Sequence, residues 1–164
     1  MEKMKKMSKI FNSVVVSGLK AISEYYHLQA SQEECRKLAQ RFELPEILSF
    51  QADVVLFRDN FVHVQGRIFA QMRRQSVVSL KDFTQDMKED FEVLFSENPP
   101  TDSDEIVDEI QNGRIDLGEV LAEQFGLALN PFPHAPGEDT PYVYTEKEEV
   151  VDSPFKNLSE IIKK

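Results

Sequence analysis

Histidine, cysteine and the carboxylates are the side chains here that could do chemistry, and their spacing decides whether they do. His27, His63 and His134 lie far apart and outside any His-Glu-x-x-His arrangement, so the sequence places none of them to ligate a metal. The single cysteine, Cys35, can form neither an internal disulfide nor a thiolate cage. It reads as a small core residue, since a nucleophilic thiol needs an electropositive, partly open setting with a base beside it. Carboxylates are plentiful, 29 Asp and Glu against 19 Lys and Arg, and that abundance removes specificity from any acid and base pair drawn among them. No Gly-x-Gly-x-x-Gly or Gly-x-x-x-x-Gly-Lys turn occurs, and six glycines leave little from which to build a phosphate loop. The sequence therefore nominates no catalytic residue, no metal ligand and no cofactor, and it points away from an enzyme. A small hydrolase is the weakest alternative, because it would need a pocket of convergent polar groups.

What the charges can do depends on where they fall. The 164 residues carry a formal charge of −10, and residues 1–96 hold 14 bases and 13 acids where residues 97–164 hold 5 and 16. A local excess of this kind argues against a protein that coats phosphates and for an acidic surface that meets a basic partner. At 18.9 kDa the chain fits one compact domain with or without a tail. The longest apolar run near the start is Val14, Val15 and Val16, far short of the ~20 residues that cross a bilayer. The lysine-rich start, MEKMKKMSKI, is followed by no apolar signal-peptide core. The expectation is a soluble, cytoplasmic protein without a membrane partner.

The elements that must position these charges follow from periodicity. Ser31 and Glu34 form a capping box, and Cys35, Leu38, Ala39 and Phe42 recur at helical spacing until Leu44 and Pro45 end the helix. The period then changes to two, with Leu48, Phe50, Ala52, Val54 and Leu56 on one side of a strand. After Arg58, Asp59 and Asn60, a second alternating run puts Val62, Val64, Gly66, Ile68, Ala70 and Met72 on one face, so the two runs form a hairpin. Residues 83–95 fit a helix or a strand, and their position after the hairpin, together with the family resemblance that follows, favours a strand. Residues 97–104, with Pro99 and Pro100, form an exposed acidic loop; Ile106, Val107 and Ile110 make a short strand before the Asn112-Gly113 turn. Asp116 caps a second helix through Glu119, whose apolar stripe is Leu117, Val120, Leu121 and Phe125 and which Gly126 stops.

The run from Asn112 through Ile115-Asp116-Leu117-Gly118-Glu119 and on to Asn130-Pro131-Phe132-Pro133 resembles the signature of the YceD family, proteins associated with accumulation of large-subunit ribosomal RNA. The likeness extends back to Val64-Gln65-Gly66 and residues 71–80, and forward to Pro154, Phe155 and Leu158, so it spans most of the chain. It implies a non-enzymatic factor in ribosome biogenesis that acts on the large subunit or its 23S-type RNA in bacteria or bacterial-type organelles. Family members often carry cysteines near the end of the 71–80 strand and, in some, after the proline-rich exit, which suggests a metal site in those members. Here Ser76, His134 and Ala135 stand in those stretches, so no zinc site carries over.

Two binding readings are compatible with the residues. In the first, Asp102, Asp104, Asp108, Glu109 and Glu123 attract a basic large-subunit ribosomal protein or a pre-ribosomal particle. Asp116 and Glu119 are accounted for by capping and the helix dipole, whereas Glu123 is not. In the second, His63, Arg67, Phe69, Arg73 and Arg74 meet ribosomal RNA directly, cations on phosphates and Phe69 stacking on a base. An ordinary half-solvated strand alternates in the same way, and that simpler account ranks above RNA binding.

The expected architecture is α+β: a largely antiparallel curved sheet or partly closed barrel, two main packing helices and a short C-terminal helix. Residues 1–135 form the domain, residues 136–152 an acidic flexible loop, and residues 153–164 a helix that packs back.

Overall fold

The computed structural model describes residues 5–7, 13–15 and 23–138. In chain order the strands are β1 (Lys5–Met7), β2 (Ser13–Val15), β3 (Glu24–Gln29), β4 (Glu46–Arg58), β5 (Val62–Gln75), β6 (Asp82–Ser96), β7 (Val107–Glu109) and β8 (Arg114–Asp116). The helices are α1 (Gln32–Arg41), between β3 and β4, and α2 (Leu117–Ala128), after β8.

Both helices begin where the side chains allow. Ser31 Oγ accepts from the Glu34 amide at 3.2 Å and the Glu34 carboxylate accepts from the Ser31 amide at 2.8 Å, which closes the capping box. α1 ends with Glu43 at φ 54°, where the Leu44 amide reaches back to the Ala39 carbonyl at 2.9 Å and the Glu43 amide to that of Gln40. Asp116 accepts from the Glu119 amide at 3.1 Å and starts α2.

Strands β3 to β6 pair antiparallel, and alternation gives one face to the core and the other to water. The residues 83–95 form a strand, as the hairpin context suggests. Phe83, Met87, Phe91 and Phe95 are spaced by four, and a spacing of four repeats on one face of a strand as well as on a helix.

Three expectations about architecture need correction. The sheet is mixed and open, in the order β1-β3-β4-β5-β6-β7, with parallel pairs at both edges, and β1 and β7 do not meet to close a barrel. Gly126 does not stop α2, which runs to Ala128. Leu48 does not join the core: a bulge between Ile47 and Ser49 shifts the register, so Ile47 is buried and Leu48 stands 40% exposed. The 153–164 helix lies outside the described residues, and the 136–152 loop is described only to Glu138.

One face of the sheet carries both helices through an aromatic junction. Phe125 of α2 meets Phe42, just past α1, edge-on at 5.5 Å and Phe50 of β4 at 5.3 Å. Phe50 and Phe125 are fully buried, worth about 1.5–3 kcal/mol each in removed apolar surface. Gly126 has its place here, because a Cβ on it would lie 2.5 Å from the Phe42 ring. Gly66 serves the same end in the sheet. It faces Phe91 across the β5–β6 ladder, and a Cβ there would come within 2.5 Å of the Asp53 carbonyl and 2.9 Å of the Phe91 ring.

Candidate functional site

The face of the sheet that no described helix covers displays His63, Arg67, Phe69 and Arg73, and an acid stands beside each charged member. Arg67 lies between Asp53 and Asp90 in one cross-strand row that also includes His27. It holds Asp90 through Nε and through Nη2 at 2.9 Å, while His27 Nδ1 meets Asp53 at 2.6 Å. Their mutual hydrogen bond and charge raise the Arg67 pKa and lower that of Asp90. Arg73 reaches Glu46 at 3.4 Å, and Lys88 sits 5.9 Å from the Phe69 ring centre.

His63 is held from both sides. Nδ1 lies 2.9 Å from Glu92 and Nε2 2.9 Å from Asp59, with the ring stacked on Phe57 at 4.4 Å. Burial pulls its pKa down, but the hydrogen bonds and charges of Glu92 and Asp59 outweigh burial and the net shift is upward. Both ring nitrogens face acceptors, the arrangement that suits the doubly protonated imidazolium.

Arg74 does not belong to this face. Period two puts it with Met72, and it is 6% exposed, its Nη2 donating at 2.7 Å to the Asn130 carbonyl just beyond α2. Burial lowers its pKa. α2 has no basic residue in its last turn, and Arg74 brings a cation to that end from β5.

The acids of the C-terminal part are placed differently. β7, β8 and the first two turns of α2 line a groove of about 470 Å³ whose walls carry Asp108, Glu109, Asp116, Glu119 and Glu123 together with the cation of Arg114. Asn112 at φ 54° and Gly113 at φ 67° form the turn, closed by the Arg114 amide on the Gln111 carbonyl at 3.0 Å. Glu119 is committed to Arg41, with Oε1 at 2.7 Å from Nη2 and Oε2 at 3.0 Å from Nη1, which ties the end of α1 to the start of α2. The Arg41 pKa is raised first by Glu119 and last by the charge of Glu123. Asp108, Glu109 and Glu123 form no ion pair with any cation among the described residues. The groove thus gathers three of the five sequence-nominated acids. Asp102 and Asp104 stay on the exposed loop before β7 and do not line it.

The motif around Asp116 is mostly scaffold. Ile115, Leu117 and Gly118 are buried, and of the exit prolines Pro131 is exposed while Pro133 is buried, its carbonyl accepting from the Val77 amide at 2.9 Å. Beyond it, Glu138 accepts from the Ser76 hydroxyl and from Ser79 Oγ at 2.5 Å, a clasp between the β5–β6 turn and the segment that follows α2. Spacing alone did not reveal Glu138 as the partner of Ser76. The acids that neutralise the outer face were also missed, though the hairpin register, once known, names them.

A cleft of about 500 Å³ beside α1 includes Cys35 in its wall. Burial first, and the charge of Glu34 second, push that thiol's pKa up, which suppresses the thiolate. Among the described residues, no three His, Cys, Asp or Glu side chains are grouped to hold a metal ion.

No family model, curated protein or solved structure matches this chain. No helix among the described residues is long and apolar enough to cross a membrane. The functional reading therefore stands on geometry and on the motif resemblance.

Proposed function

We propose that this protein is a non-enzymatic factor of ribosome biogenesis in the cytoplasm, supporting accumulation of large-subunit ribosomal RNA by binding a basic ribosomal protein or a pre-ribosomal particle. The observation that carries this reading is the groove between β7 and α2. Asp108, Glu109 and Glu123 line it without an ion-paired cation among the described residues, whereas Asp53, Asp90 and Glu92 of the sheet face lie against His27, Arg67 and His63. Unmatched carboxylates along a groove attract lysine-rich chains and speed their encounter. The Asp102 and Asp104 loop adjoins the same strand and extends the negative field. The motif around Ile115 and Asp116, which resembles the YceD signature, forms β8 and the helix start that shape this groove, and that coincidence supports the ribosomal context.

The test is affinity capture from cells at low salt. Neutralising Asp102, Asp104, Asp108 and Glu109 together as Asn or Gln should deplete co-purified large-subunit proteins, and undiminished recovery would count against the reading. Direct RNA contact through residues 67–74 is weaker as an alternative, because Arg67 and Arg73 are already paired and Arg74 is buried.

A further inference from the structure

β7 is the last strand of the sheet, and its outward edge has no neighbour among the described residues. The Ile110 amide donates to the Ser96 carbonyl at 2.9 Å, and backbone groups of successive residues point to opposite sides of a strand. Asp108 and Ile110 therefore turn their amides and carbonyls toward β6, and Val107 and Glu109 turn theirs away. No hydrogen bond engages those outward groups among the described residues. An unpaired edge is a template for one more strand, and native sheets usually cover it, twist it away, keep it short or guard it with charge, most often lysine. This edge is three residues long and its guard is acidic, which repels an acidic strand and admits a basic one. Asp108 and Glu109 sit on the strand itself, and Glu123 faces the same groove from α2.

From this edge and its charge we infer that the partner docks by strand addition: an extended, lysine- or arginine-rich segment pairs with the outward backbone of Val107 and Glu109. Cations on its α2-facing side fall against Asp108 and Glu123, and Glu109 attracts those on the other face. The inference rests on the proposed function for the basic character of the partner and adds the mode of contact. Backbone pairing supplies affinity that tolerates sequence, and the acids select for charge. Beyond Glu109 the bridge between Gln111 and Arg114 occupies the same side, so the pairing is confined to Val107–Glu109.

The probe is a blocked octapeptide of alternating lysine and valine, titrated into the full chain at low salt, beside two peptides of equal charge N-methylated on one or the other set of alternate amides. Strand addition requires that one methylated set bind about tenfold more weakly, the worth of one or two lost hydrogen bonds. Val107→Pro removes an outward N–H and no ladder bond, and should weaken the unmethylated peptide by a similar factor while the melting temperature holds. Equal binding of all three peptides, or no binding of any, overturns the inference. Should Val107→Pro fail to fold, the methylated pair decides alone. Continued co-purification of large-subunit proteins alongside equal peptide binding would leave the proposed function standing and place the contact on a folded surface of the partner.

Discussion

The bare face of the sheet and the groove beside β7 hold similar side chains in opposite circumstances. On the sheet, Asp53, Asp59, Asp90 and Glu92 each lie against His27, His63 or Arg67. In the groove, Asp108, Glu109 and Glu123 form no ion pair among the described residues. Long strands in register explain most of the difference, since residues directly or diagonally opposite across a ladder are held close enough to match in charge, and the β4–β5 turn adds Asp59. A three-residue edge strand faces a neighbour on one side only.

The difference can be broken or sharpened by substitution. The largest effect should come from Gly66→Ala, which drives a methyl into the Asp53 carbonyl and the Phe91 ring. A loss of about 1–3 kcal/mol is expected in denaturant melts, with the matched rows of β4 to β6 disturbed and the groove retained. A melting point equal to that of the parent would show that the close approach is not maintained in solution.

Next comes pH. His63, at 6.5 when unperturbed, has its pKa raised, so its stabilisation is complete below about that value and fades as pH rises through the raised one. Asp59 and Glu92, both lowered, withdraw theirs as pH falls through their depressed values. Stability should therefore be greatest in the mildly acidic window between, and His63→Gln should flatten the profile of melting temperature against pH. An unchanged profile would remove His63 as its source.

Asp90→Asn should produce a smaller fall in melting temperature that vanishes at high salt, because the Arg67 pair is exposed. The smallest effect on stability belongs to the groove. Asp108→Asn, Glu109→Gln and Glu123→Gln combined should change stability by less than about 0.5 kcal/mol, while capture of large-subunit proteins declines. A large loss of stability would mean that these carboxylates hold the fold together, and the contrast with the sheet face would fail.

Much of this arrangement is legible in the sequence, because the forces that write it are local. Ser31 with Glu34 and Asp116 with Glu119 cap the helices they announce, and alternation assigns the faces of β5 from Val62 to Met72 correctly. The failures are tertiary. A bulge at Leu48 depends on how β4 must turn to meet β5, and nothing in a run of alternating residues marks the extra one. Gly126 looks like a helix stop until Phe42 is seen against it. Whether the sheet closes is set by its short parallel edges, which periodicity does not describe. Arg74 is a different lapse, since the same count of two that placed Met72 inside already placed Arg74 with it.

The Ser76 and Ser79 clasp on Glu138 lies where β5 turns into β6, whereas the groove lies where β6 ends against β7. α2 joins them by the shorter route: from Glu123 in the groove to Pro133, whose carbonyl holds the Val77 amide, the helix end and its exit reach at most about 30 Å. A single partner of ordinary domain size can therefore touch the groove and the clasp at once.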